Sequence, residues 1–185
     1  MSRCRNFDEV SAELSPERGL VGIETAEHQV PATPGLYAIY VDAFRSLPAP
    51  FSEKLETRAT KLIYVGQASK SLEKRFFQQD LRGKSNATFY RSTGAVLGYR
   101  PPAGSLKGKR NQNNYRFSRD DRQEINRWID RHLLVRWCEC SAVKLNNFEP
   151  DLIREWKPLF NKTHNPAPYP SLARLRDECR EIAKG

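Results

Sequence analysis

The sequence predicts an α/β (α+β) domain in which strands and helices share one core. Three observations predict it. Residues 35–41, 61–66 and 133–140 are short runs rich in β-branched and aromatic side chains. Between them Leu72, Phe76 and Phe77, and again Ile125, Trp128, Ile129 and His132, recur at helical spacing. The length of 185 residues suits one domain with decorations rather than two independent cores.

Residues 1–30 carry acids, Ser15-Pro16, Gly19 and Gly22 with weak periodicity, and read as an N-terminal arm with one short helix. The first strand, 35–41, follows the turn residues Pro31 and Pro34. Residues 42–60, with Pro48 and Pro50, read as a long connector to the second strand, 61–66. An amphipathic helix follows over 69–81, and another over 88–97 that Gly98 and Pro101-Pro102 stop. Residues 103–117 form a loop rich in Gly, Asn and basic side chains. Ser118 then opens a helix over 119–132, with Asp121 completing a box-like cap.

The third strand, 133–140, places Cys138 and Cys140 on one sheet face, where they read as small core residues. No C-x₂-C or H-x₃₋₅-H pair suggests zinc. A short helix over 147–157 begins near Glu149 and is bounded by Pro158. The tail 171–183 aligns Leu172, Leu175, Cys179 and Ile182 on one helical stripe. His132 reads as a core residue of its helix, and His164 as the histidine nearer a substrate.

Apolar residues make up 38% of the chain, and no run approaches the length of a membrane span. The first residues have no apolar segment of the kind a secretory signal needs. The expectation is a cytoplasmic protein, with Cys4, Cys138, Cys140 and Cys179 reduced. The net charge is +9, and its distribution is uneven. Eleven basic residues lie between Lys70 and Arg116 against only Glu73 and Asp80, an excess equal to that of the whole chain. Phe76, Phe77, Tyr90, Tyr99, Tyr115 and Phe117 are interleaved with them. Such a segment suits phosphates and unpaired bases. Arg82, Lys84, Arg91, Lys107, Lys109, Arg110 and Tyr115 are therefore candidate nucleic-acid contacts.

Three places raise a chemical question: the glycine–tyrosine pairings Gly35-Leu36-Tyr37 and Tyr64-Val65-Gly66, then Arg75, then the stretch from Phe148 to Asn161. Singly, each reads as ordinary packing, a turn, a surface charge or a helix end. Together and in this order they resemble the GIY-YIG nuclease superfamily over about residues 33–165. The resemblance implies a three-stranded antiparallel sheet flanked by helices that hydrolyses phosphodiester bonds with one divalent metal. Tyr37, Tyr64, Arg75, Glu149 and Asn161 would be its catalytic set, with Gly66, Gln67 and Lys70 in support.

Within that set Glu149 would hold Mg²⁺ or Mn²⁺, which suit hard oxygen ligands, and no organic cofactor is expected. Arg75 would clamp a phosphate oxygen. Tyr64, with Tyr37 beside it, would orient water and take its proton if neighbouring positive charge lowers the phenol. Asn161 would hold the phosphate or the tyrosines in place. Two positions depart from the family pattern: Gln67 stands where Lys is frequent, and Gln79 where His or Tyr is common. Lys70 is the expected substitute for the first.

The layout resembles the restriction-enzyme branch: a nuclease domain over 31–165 with a basic insertion at 82–117, and a helix over 166–185 packed on it. The expectation is a metal-dependent DNA endonuclease of restriction or defence, with a homodimer as one route to cutting both strands. The alternative is a catalytically silent nucleic-acid-binding module on the same scaffold.

Overall fold

A computed structural model describes residues 6–85 and 87–185. Cys4 lies outside the described residues. Residues 6–30 hold more than the one short helix expected. Helix α1 (Phe7–Leu14) is capped by Asn6, whose side chain accepts the Glu9 amide. It is followed by strand β1 (Val21–Gly22) and helix α2 (Ile23–Gln29). The three long strands fall where expected: β2 (Gly35–Val41), β3 (Leu62–Ala68) and β4 (Leu133–Glu139).

The sheet is antiparallel with four strands, not three, in the order β1-β4-β2-β3. β1 was invisible in the sequence because two residues, one of them Gly, carry no alternation. It pairs only through Val21 with Val135 and Gly22 with Leu134.

Every residue of β2 is buried, because helices cover both faces of the sheet. On one face Tyr37, Ile39 and Val41 join Ile23 of α2, Ile125 and Ile129 of α5 (Arg119–His132), and Leu172 of α7 (Pro170–Lys184). On the other, Leu36, Ala38, Tyr40, Cys138 and Cys140 join Val10 and Leu14 of α1 and Leu145, Leu152 and Ile153 of α6 (Ala142–Trp156). The cysteines are core residues, as expected. His132 is not: it is partly exposed, with Nδ1 3.2 Å from Asp42 Oδ2 at the rim. The connector 42–60 carries a further helix, α3 (Phe51–Thr57), whose Phe51 and Leu55 are buried.

Two local features shape the site. Residues Glu73–Leu81 form a π-helix rather than the expected α-helix. Its hydrogen bonds reach five residues, as from Arg82 N–H to Phe77 C=O at 3.1 Å. Side chains at i and i+5 then meet, whereas in an α-helix they lie about 140° apart around the axis. In β3 the register slips by one residue opposite Ile39 and Tyr40. The bulge at Ile63 leaves Ile63 and Tyr64 both against the larger core.

The signature glycines are steric requirements. A Cβ on Gly35 would lie 2.2 Å from the Cys138 carbonyl oxygen. One on Gly66 would lie 2.5 Å from the Tyr37 phenol, because the two residues are cross-strand partners and the ring lies across the glycine. Gly66→Ala therefore displaces Tyr37 and is expected to cost about 1–3 kcal/mol. Urea denaturation checks this; a variant as stable as wild type would mean the ring can move aside.

Candidate active site

β2 presents Tyr37, and the π-helix lies across the same face. Phe76 stacks on the Tyr37 ring at 4.3 Å, while the Tyr64 ring sits 6.2 Å away on β3. The Tyr37 hydroxyl donates to Asp80 Oδ2. Arg75 Nη1 donates to Asp80 Oδ1 at 3.0 Å and to Gln79 Oε1 at 3.3 Å. Asp80 also accepts the Phe89 N–H, at the first turn of α4 (Thr88–Val96), where Ala87 supplies no side-chain cap. This carboxylate, fully buried, ties the tyrosine, the arginine and a helix N-terminus together.

Asp80 is the functional candidate that sequence reasoning missed. The family pattern drew attention to Gln79, one α-turn after Arg75, while Asp80 counted only as an acid within a basic run. In the π-helix Asp80 faces Arg75 together with Gln79.

The outer edge of β3 assembles the rest. Phe160 N–H donates to Ile63 C=O at 2.7 Å. Asn161 then acts as a stand-in peptide: Oδ1 accepts the Val65 N–H at 2.9 Å, and Nδ2 donates to the Val65 C=O at 2.8 Å. Asn161 thus fixes the Tyr64-Val65-Gly66 strand, and it also lines the cavity in front of Glu149. Further along, the Gln67 backbone and side chain both hydrogen-bond the Glu149 carboxylate. Glu149 does not open its helix. α6 starts at Ala142 and runs through Pro150 to Trp156, which leaves Glu149 at its middle.

Glu149, Tyr64, Phe160 and Asn161 share a cavity of about 470 Å³, which His164 also lines. Burial raises the Glu149 carboxyl to about 7, with the Arg75 charge opposing and Asp80 adding to the rise. Burial also pushes the Tyr64 and Tyr37 phenols well above their ordinary value; Asp80 adds to this and Arg75 only partly offsets it. The phenols are therefore not lowered by neighbouring charge, as the sequence had suggested they could be. Asp80 itself is pushed up by burial, against the pull of Arg75 and its hydrogen bonds. Lys70 is exposed just beyond β3 and has no part in these interactions.

The nucleic-acid candidates divide. Lys84, Lys107, Lys109 and Arg110 are exposed. Arg82 is engaged by Asp130 at 2.7 Å and lies over the Phe77 ring. Arg91 and Tyr115 are buried against each other, so Tyr115 offers no face for a base to stack on.

Five residues scattered over 125 positions of the chain thus lie around one strand edge, in the order and with the glycines the motif needs. A family model described as the GIY-YIG catalytic domain matches residues 35–181. The chain belongs to the GIY-YIG nuclease superfamily. No curated protein and no solved structure matches it.

GIY-YIG enzymes are nucleases, typically dependent on a divalent metal and acting on DNA. Among the described residues no group of three His, Cys, Asp or Glu side chains is placed to hold a metal. A GIY-YIG site needs fewer, because Mg²⁺ usually takes one or two carboxylates and fills its shell with water and phosphate oxygens. The residues present fit that demand. Glu149 is an anion destabilised by burial, and the buried Gln67 Oε1 beside it has no partner. Among the described residues no helix is long and apolar enough to cross a membrane.

Proposed function

We propose that this protein is a metal-dependent DNA endonuclease. One observation supports the reading more than any other: Tyr37, Tyr64, Arg75 and Glu149 gather around the edge of β3, with Asp80 buried among them and open space in front of Glu149 and Tyr64. Glu149, with Gln67 beside it, would hold Mg²⁺ or Mn²⁺. The bound cation supplies Lewis-acid stabilisation of charge on the phosphate.

The chain's own groups do the rest. Arg75, oriented by Asp80, binds a non-bridging phosphate oxygen and meets the charge that develops there. Tyr64 stays protonated at rest, so its hydroxyl orients the attacking water before any proton moves. Tyr37, fully buried, gives its hydrogen to Asp80 and so helps hold the carboxylate that orients Arg75. Asn161 holds the backbone that carries Tyr64.

The exposed cations Lys84, Lys107, Lys109 and Arg110 supply sequence-independent attraction to the backbone. The basic insertion and the long connector favour a role in restriction or defence. The cytoplasm is where such an enzyme meets DNA.

Plasmid nicking tests the proposal. Supercoiled DNA is expected to be nicked with Mg²⁺ and to remain intact in EDTA. Cutting in EDTA would refute the metal-dependent mechanism. DNA binding at low salt without cutting under any metal would favour a silent binding module.

A further inference from the structure

The cavity in front of Glu149 is larger than one phosphate requires. Its volume of about 470 Å³ continues from Tyr64 and Glu149 to Lys162 and His164 in the loop after α6, and on to Arg176 on α7. None of these three residues belongs to the basic segment that stands out in the sequence.

Arg176 is the unusual member. Its side chain is partly buried on the cavity wall, and among the described residues nothing forms an ion pair or hydrogen bond with it. The other arginines of α7 are engaged. Arg174 is exposed and bonds Ser171 Oγ at 3.1 Å. Arg180 is paired with Asp177, which with Glu149 supplies the acids of the cavity wall, and reaches Asn113 Oδ1 at 3.3 Å. The Arg176 charge also acts on Arg91, as does Arg75, with the Asp80 carboxylate opposing them. A guanidinium on a cavity wall that spends none of its donors on the protein is available to an anion entering that cavity. The Arg180–Asn113 contact joins this wall to the loop that carries Lys107, Lys109 and Arg110, so positive charge runs outward from the cavity.

We infer that Arg176, with Lys162 and His164, forms a second phosphate subsite, which binds the phosphate next to the scissile one on the same DNA strand. This rests on the endonuclease reading. α7 is then a wall of the substrate cleft as well as a cover for the core. Arg176 sets where along the strand the scissile phosphate stops, because two fixed phosphates define a register that one cannot.

The test uses the whole chain carrying Glu149→Gln, so that duplex DNA is bound without cutting, with affinity read by fluorescence anisotropy across a range of salt. Adding Arg176→Ala is expected to weaken binding about tenfold and to reduce the slope of log K against log salt by about 0.9, one phosphate contact. Arg174→Ala, the same charge lost from an exposed position of the same helix, is expected to change neither. Arg176 bonds to nothing among the described residues and Arg174 makes one exposed bond, to Ser171 of its own helix, so thermal melts of both variants should match their parent. Equal losses in the two variants would reduce the effect to long-range attraction and overturn the subsite. An unchanged slope with Arg176→Ala would overturn it too, while leaving the endonuclease reading in place. Failure of the Glu149→Gln parent to bind DNA at low salt would remove both.

Discussion

Glu149→Gln is expected to slow DNA cleavage about 10³-fold while the duplex stays bound, because it removes the buried carboxylate beside Tyr64 and keeps its shape. Nicking rates at saturating Mg²⁺, set against anisotropy on the same DNA, separate the two effects. A rate within about tenfold of wild type would mean that another group carries the role assigned to Glu149.

The same substitution tests the electrostatics. Folding raises the Glu149 carboxyl to about 7, above the ordinary carboxylate range of about 4 to 4.5. Below about 7 the metal-free fold carries a proton there, which a cation must displace. Affinity for Mn²⁺ therefore climbs about tenfold per pH unit and levels off above that value. Between the two ionisations the native state holds the extra proton, so the metal-free protein loses stability as pH rises through the window. Glu149→Gln is expected to flatten both trends in calorimetric titrations and thermal melts.

Asp80→Ala is expected to cost about 3 kcal/mol of stability and about 10²-fold in cleavage rate. The fully buried carboxylate holds the Tyr37 hydroxyl, the Arg75 guanidinium and the first turn of α4 at once. Arg75 is a third exposed and recovers part of its loss from water, which keeps the cost at the lower end for a broken buried pair. Asp80→Asn keeps the shape and one acceptor oxygen. It is expected to regain much of the stability but little of the rate, since Arg75 loses its charged partner. Urea denaturation and single-turnover cleavage of both variants check this. Wild-type activity in a folded Asp80→Ala protein would reduce Asp80 to a packing role.

How far the sequence could be read depended on which geometry each residue obeys. The strands and α5 were legible because their patterns follow the ordinary periods of two and 3.6 residues, and α5 was delimited at both ends. Tyr37, Tyr64, Arg75, Glu149 and Asn161 were legible as a motif, not as a geometry. Asp80 was hidden because only a π-helix turns i+5 toward Arg75, and nothing in Glu73–Leu81 announces that winding. Arg176 was hidden for another reason. A helix stripe shows which face packs, but the far elements that meet its other face are set by tertiary structure. Tyr115 and Arg91 were misjudged alike, because composition cannot tell an aromatic platform from an aromatic anchor.

The way β3 is finished has a consequence for assembly. Side strands of open sheets commonly recruit a neighbour, and many complexes form by continuing a sheet from one subunit into the next. Here the peptide groups that would receive a visiting strand are already taken by Phe160, Asn161 and Glu149. Were two copies to act on opposite strands of a duplex, they would have to join through some other surface, since a strand added here would displace Phe160, Asn161 and Glu149.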